Sequence, residues 1–83
     1  MKILYFSWIK EKIGKNEEII ELNEDVDTGF KLVIFLKSKG KNYEDAFNTL
    51  DNIRFSINMK NSNFRDSVKN DDEVAFFPPM TGG

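Results

Sequence analysis

Apolar and polar positions along this chain alternate, cluster and stop in a pattern that outlines most of its elements. From Lys2 to Ser7 the run Lys-Ile-Leu-Tyr-Phe-Ser is dense in β-formers and predicts a first strand. Trp8 to Ile13 predicts a short helical turn with Gly14 as its C-cap. Glu17 to Leu22 predicts a second strand, pairing hairpin-fashion with the first across Gly14 to Asn16. Thr28 is a natural N-cap for a helix running to Ser38 or Lys39 and closed by Gly40. Leu32, Phe35, Leu36 and Lys39 share one face of it, the lysine stem lying along apolar surface while its ammonium reaches water. Gly29 is a poor helix residue and blurs the helix start. Asn42 is placed to cap a shorter helix through Tyr43, Ala46, Phe47 and Leu50.

Beyond that point the period changes. Ile53, Phe55, Ile57 and Met59 alternate with Arg54, Ser56, Asn58 and Lys60, the period of two expected of a half-buried strand. Asn61 to Asn63 reads as a turn and Phe64 as the anchor of a short edge strand. Asn70-Asp71-Asp72 predicts a tight turn into a last strand, Glu73 to Phe77. The order is strand, strand, helix, short helix, strand, short strand, strand. It fits an α+β fold, a mixed sheet packed on one main helix with an additional short helix, in a single domain spanning residues 1–83.

A sheet covered by a helix on one face should alternate strictly. The first and last strands do not. With Ile3 and Tyr5 facing the helix, Leu4 and Phe6 point the other way; with Val74 and Phe76 inward, Ala75 and Phe77 point outward. Were these strands neighbours, Leu4, Phe6 and Phe77 would form one apolar patch. Such a patch either marks an interaction site or lies under the chain's own loops.

Composition narrows the chemistry. The chain has no Cys and no His, which removes thiolate nucleophiles, zinc-thiolate sites and the usual general base. Ser7 and Ser67 lack an activating partner. The net charge of −2 speaks against a general nucleic-acid binder, and Lys37, Lys39 and Lys41 suit the C-terminal end of a helix. Asp71-Asp72-Glu73 reads as a solvated turn, and Lys10-Glu11-Lys12 as the polar face of a short helix. No stretch approaches a transmembrane span or a signal peptide, so no membrane partner and a cytoplasmic location are expected.

The segment Phe76-Phe77-Pro78-Pro79-Met80-Thr81-Gly82-Gly83 stands apart. Proline fixes φ and removes a donor, so strand pairing must stop at Pro78, and Pro-Pro favours a stiff extended segment. Gly82 and Gly83 have no Cβ and fit a channel too narrow for other residues. Residues 80–83 therefore read as a flexible tail reaching about 13–14 Å past the prolines, able to carry a terminal carboxylate into another protein's active site. That carboxylate is then the most reactive group the chain offers.

The run from Asp72 to Gly83, Asp-Glu-Val-Ala-Phe-Phe-Pro-Pro-Met-Thr-Gly-Gly, closely resembles the end of the small, sulfur-carrier subunit of molybdopterin synthase. Leu4 to Gly14 is similar to that family's first strand and helical turn; Thr28, Leu32 and Leu36 resemble its main helix, and Ile57-Asn58 a step of its third strand. Departures are Asp71 where the family usually has Gly, Met80 for the usual Val, and Gly29-Phe30 at the helix start. The resemblance implies a ubiquitin-like β-grasp fold with no permanently bound cofactor. It implies that Gly83 is adenylated with ATP by a ubiquitin-activating-like adenylyltransferase and converted to a thiocarboxylate with a sulfur donor. Gly82 would grant passage, and the large subunit of molybdopterin synthase would receive the tail. Leu4, Phe6 and Phe77, with Pro78, Pro79, Met80 and Thr81, would be the partner-binding residues. Three rivals share the diglycine: a carrier for thiamine or thiolated-nucleoside synthesis, a ubiquitin-like modifier forming isopeptide bonds, and an interaction domain with an idle terminus.

Overall fold

Lys2–Tyr5 forms strand β1, and Gly14 (φ 90°) ends helix α1, Ser7–Ile13, by donating its N–H to Lys10 O. The chain then returns as β2, Glu17–Ile19, antiparallel to β1. Helices α2 (Gly29–Lys37) and α3 (Lys41–Ala46) and a 3-10 turn (Leu50–Asn52) follow, then β3 (Arg54–Ile57), β4 (Lys60–Ser62) and β5 (Glu73–Phe77). The computed structural model describes residues 1–79, so the expected tail, residues 80–83, lies outside the described residues. The five strands form one sheet in the order β2-β1-β5-β3-β4. Only the central pair, β1 and β5, is parallel; the other pairs are antiparallel.

One face of this sheet carries the core. Ile3 and Tyr5 of β1, Val74 and Phe76 of β5 and Phe55 of β3 turn towards Leu32, Val33 and Leu36 of α2, and all are buried. Phe76 sits at the aromatic centre, its ring centroid 4.9 Å from Phe47, 5.3 Å from Phe55 and 6.1 Å from Tyr5. Burying a side chain of this size stabilises the fold by about 1.5–3 kcal/mol. The inward assignments made from β1 and β5 hold. On α2, Leu32 and Leu36 are buried as the periodicity required, Val33 joins them, and Phe35 is half-buried.

Four local expectations change. Asn42 does not cap α3: Gly40 occupies that position, and Asn42 Nδ2 donates to Ile13 O at 2.7 Å, tying the end of α1 to α3. Leu50 lies beyond α3, in the 3-10 turn. The hairpin turn is Asn58-Met59, so β4 falls on the segment expected to turn, and Met59 leaves the strand. Phe64 anchors no strand; its ring stacks on Phe55 at 5.3 Å. It also explains Gly29, because a Cβ there would sit 2.9 Å from Phe64 Cα and O. The glycine lets the 64–66 loop close over the helix start, where Phe64 O and Asp66 O accept from Phe30 N and Gly29 N. Asp71, a departure from the resembled family, needs no left-handed backbone. The turn closes through Asp72, whose carboxylate accepts from Lys69 N at 2.8 Å.

Candidate functional site

On the sheet's other face no helix packs among the described residues, and the residues that break alternation come together. Parallel register places Leu4 beside Ala75, and antiparallel register places Ser56 beside Ala75 and Arg54 beside Phe77. The result is a groove of about 580 Å³ lined by Leu4, Phe6, Phe77, Pro78 and Pro79, with Ser56, Ala75 and Met59 among its other walls. Five of the residues singled out from sequence thus share one site. Ala75 and Ser56 are only 9 % exposed yet small, so they make a floor, while Phe6 is 47 % exposed and forms a wall. Among the described residues no loop covers the patch. Met80, Thr81, Gly82 and Gly83 lie outside the described residues.

Sequence reasoning missed Met59 and Ser56. Period two put Met59 on the core side, and the signal that corrects it is Asn58, a residue suited to left-handed turns. Asn58 N donates to Glu73 O at 2.7 Å, and its side chain accepts from Glu73 N and donates to Asp72 Oδ1, both at 2.9 Å. This pins the hairpin to the start of β5.

The rim of the groove is electrically uneven. At the end remote from the prolines, Lys2 Nζ lies between Glu17 and Glu73 at 3.7 and 3.9 Å. At the proline end, Arg54 donates only to the carbonyls of Asp51 and Ile53, at 3.2 and 3.4 Å, and meets no carboxylate among the described residues.

Behind the sheet lies a polar cluster that the sequence did not reveal. Glu18 Oε2 accepts from the hydroxyls of Tyr5 and Tyr43, each at 2.8 Å, and Oε1 faces Lys39 Nζ at 3.1 Å and Lys15 Nζ at 3.6 Å. Burial pushes the Glu18 carboxyl upward, but the hydrogen bonds from Tyr43, Tyr5 and Lys39 outweigh it and hold the group below its ordinary range. Burial, then the Glu18 hydrogen bond, raises the Tyr5 phenol, and the same two causes raise Tyr43. The cluster ties β2, β1 and α3 together and offers no opening towards the groove.

A mixed sheet in the order β2-β1-β5-β3-β4 around one main helix, with its open apolar face at the end of the last strand, defines a ubiquitin-like β-grasp protein. The chain belongs to the ThiS family, whose model matches residues 3–83. It is 34 % identical to the molybdopterin synthase sulfur carrier subunit of Haemophilus influenzae over 83 residues, covering 100 % of this chain and 99 % of that protein. It is also 34 % identical to the same-named subunit of Dictyostelium discoideum, covering 99 % and 94 %. Among solved structures, molybdopterin converting factor subunit 1 from Pyrococcus furiosus superposes with a TM-score of 0.75 at 25 % identity, covering 95 % of each chain. SAMP1 from Haloferax volcanii superposes at 0.66 and 25 % identity, covering 100 % and 98 %. Among the described residues no helix is long and apolar enough to cross a membrane.

Proposed function

We propose that this chain is the sulfur-carrier subunit of a molybdopterin synthase. The observation that carries the reading is the open apolar groove at Pro78-Pro79, the root of the Gly-Gly tail, in a chain whose 34 %-identical relatives bear that name. A partner that receives the tail must also meet the groove. The large subunit is that partner for sulfur transfer, and the activating enzyme is the partner for loading.

The chemistry follows from the weakness of a carboxylate as a donor. The Gly83 carboxylate attacks the α-phosphorus of ATP, pyrophosphate leaves, and an acyl-adenylate forms. A sulfide equivalent from the donor attacks the acyl carbon, the C–O bond to AMP breaks, and a thiocarboxylate remains. Its sulfur is a far better nucleophile than carboxylate oxygen and bonds to a carbon of cyclic pyranopterin monophosphate as a C–O bond there breaks; water then cleaves the acyl C–S bond, returning Gly83 as carboxylate, and two rounds build the dithiolene of molybdopterin. This chain supplies the tail and the docking face. Substrate binding and acid-base groups fall to the large subunit, consistent with a chain lacking His and Cys.

The test is intact mass after incubation with activating enzyme, ATP and sulfur donor. A gain of about 16 Da at Gly83, oxygen replaced by sulfur, is expected. Adding the large subunit and pterin precursor should return the mass to its starting value and yield molybdopterin. No gain under conditions that load a related carrier would overturn the reading. Likeness to SAMP1, a small archaeal modifier protein, favours a second reading in which Gly83 forms isopeptide bonds. That outcome would appear as lysine-linked conjugates rather than a thiocarboxylate.

A further inference from the structure

The β3–β4 connection is a two-residue hairpin, Ile57 pairing with Lys60, and both central residues are left-handed: Asn58 at φ 50° and Met59 at φ 71°. Such a turn favours Asn at the first position and Gly at the second. Asn58 obeys the rule and anchors itself to Asp72 and Glu73. Met59 breaks it, since a long side chain with positive φ is strained. Nothing among the described residues compensates, for Met59 is 90 % exposed and lies outside the buried core. Among the described residues its place is at the groove, which it helps to line.

By register Met59 bounds the groove at the hairpin end, opposite Phe77 and the prolines, with Ser56 and Ala75 as the low floor between. We infer that Met59 is a partner-contact residue, an unbranched apolar arm that closes over an apolar side chain which the large subunit seats on the Ser56–Ala75 floor. The inference rests on the sulfur-carrier reading. The occupant is a protein surface because the groove ends at the tail root, so whatever takes the tail covers it. A thioether chain adapts its shape to such a contact, which suits an edge that must close after docking.

Strain and contact predict opposite responses, and that separates the inference from a structural role. Replacing Met59 by Gly or Asn relieves the left-handed residue and removes the apolar arm. Both variants should keep or raise Tm while the Kd for the large subunit, measured by calorimetry on the full-length chain, weakens about five- to thirtyfold. Met59→Leu keeps the apolar bulk and the strain and should bind within about twofold of the parent. Equal affinity across the series, or affinity that rises and falls with Tm, overturns the inference while leaving the sulfur-carrier reading intact. Failure of the unsubstituted chain to bind the large subunit overturns both.

Discussion

The two faces of β1 and β5 are built from nearly the same side chains and meet opposite fates. On one face Ile3, Tyr5, Val74 and Phe76 are buried beneath α2 and α3. On the other, Leu4, Phe6, Ala75 and Phe77 line a groove with none of the other described residues above them. Adjacent residues Phe76 and Phe77 make the contrast sharpest, one fully buried in an aromatic cluster and the other half-buried at the tail root. Apolar surface on the first face is already removed from water by folding. On the second it stays open among the described residues, the face proposed above to meet a partner. Hydrophobicity alone therefore does not distinguish a core residue from one on an open face; the presence of a covering element does.

The largest expected break in that comparison is Phe76→Ala. It empties the centre of the aromatic cluster and should destabilise the fold by about 3–5 kcal/mol in urea unfolding. Next is Glu18→Ala, which strips two tyrosine hydroxyls and two ammonium groups of their acceptor and should cost about 1–3 kcal/mol. Gly29→Ala brings a Cβ against the backbone of Phe64 rather than a yielding side chain, and a loss of about 1–2 kcal/mol is expected. Acid should act on the same cluster as Glu18→Ala. Because folding lowers the Glu18 pKa from its ordinary 4.5, the unfolded chain takes up the proton first on acidification. The stabilisation is fully present above that ordinary value and is lost as pH falls through the folded-state value; Glu18→Gln should flatten this acid limb of the unfolding curve. Phe77→Ser should be smallest in stability, within about 1 kcal/mol, yet it should slow loading of Gly83 and weaken large-subunit binding. A Phe77→Ser variant that unfolds as readily as Phe76→Ala would erase the distinction between the faces.

Much of the site was readable because β-strands leave a simple trace. Outward Leu4, Phe6 and Phe77 follow from period two, and Pro78-Pro79 marks where pairing must end. Met59 was not readable. A two-residue turn inside an alternating run breaks the alternation for everything after it, and that turn depends on Asn58 reaching Asp72 and Glu73, fourteen and fifteen positions on. The Glu18 cluster escaped for a related reason. Its partners Tyr5, Lys15, Lys39 and Tyr43 come from four separate segments, and no local pattern gathers them. Gly29 reads as a defect in a helix until Phe64 arrives from thirty-five residues away, when it becomes the point of close approach.

By itself the sequence determined the α+β class, the inward set on β1 and β5, the chemistry that lack of Cys and His excludes, and the stiff Pro-Pro approach to a diglycine. These rest on local geometry and on side-chain inventory, both legible one residue at a time. Only the tertiary structure decided that β1 and β5 lie side by side, that no other described residue covers the apolar residues of their outer faces, and that Met59 stands at the edge of the groove they form. Those facts depend on where distant segments pack, and packing is settled by the whole chain at once.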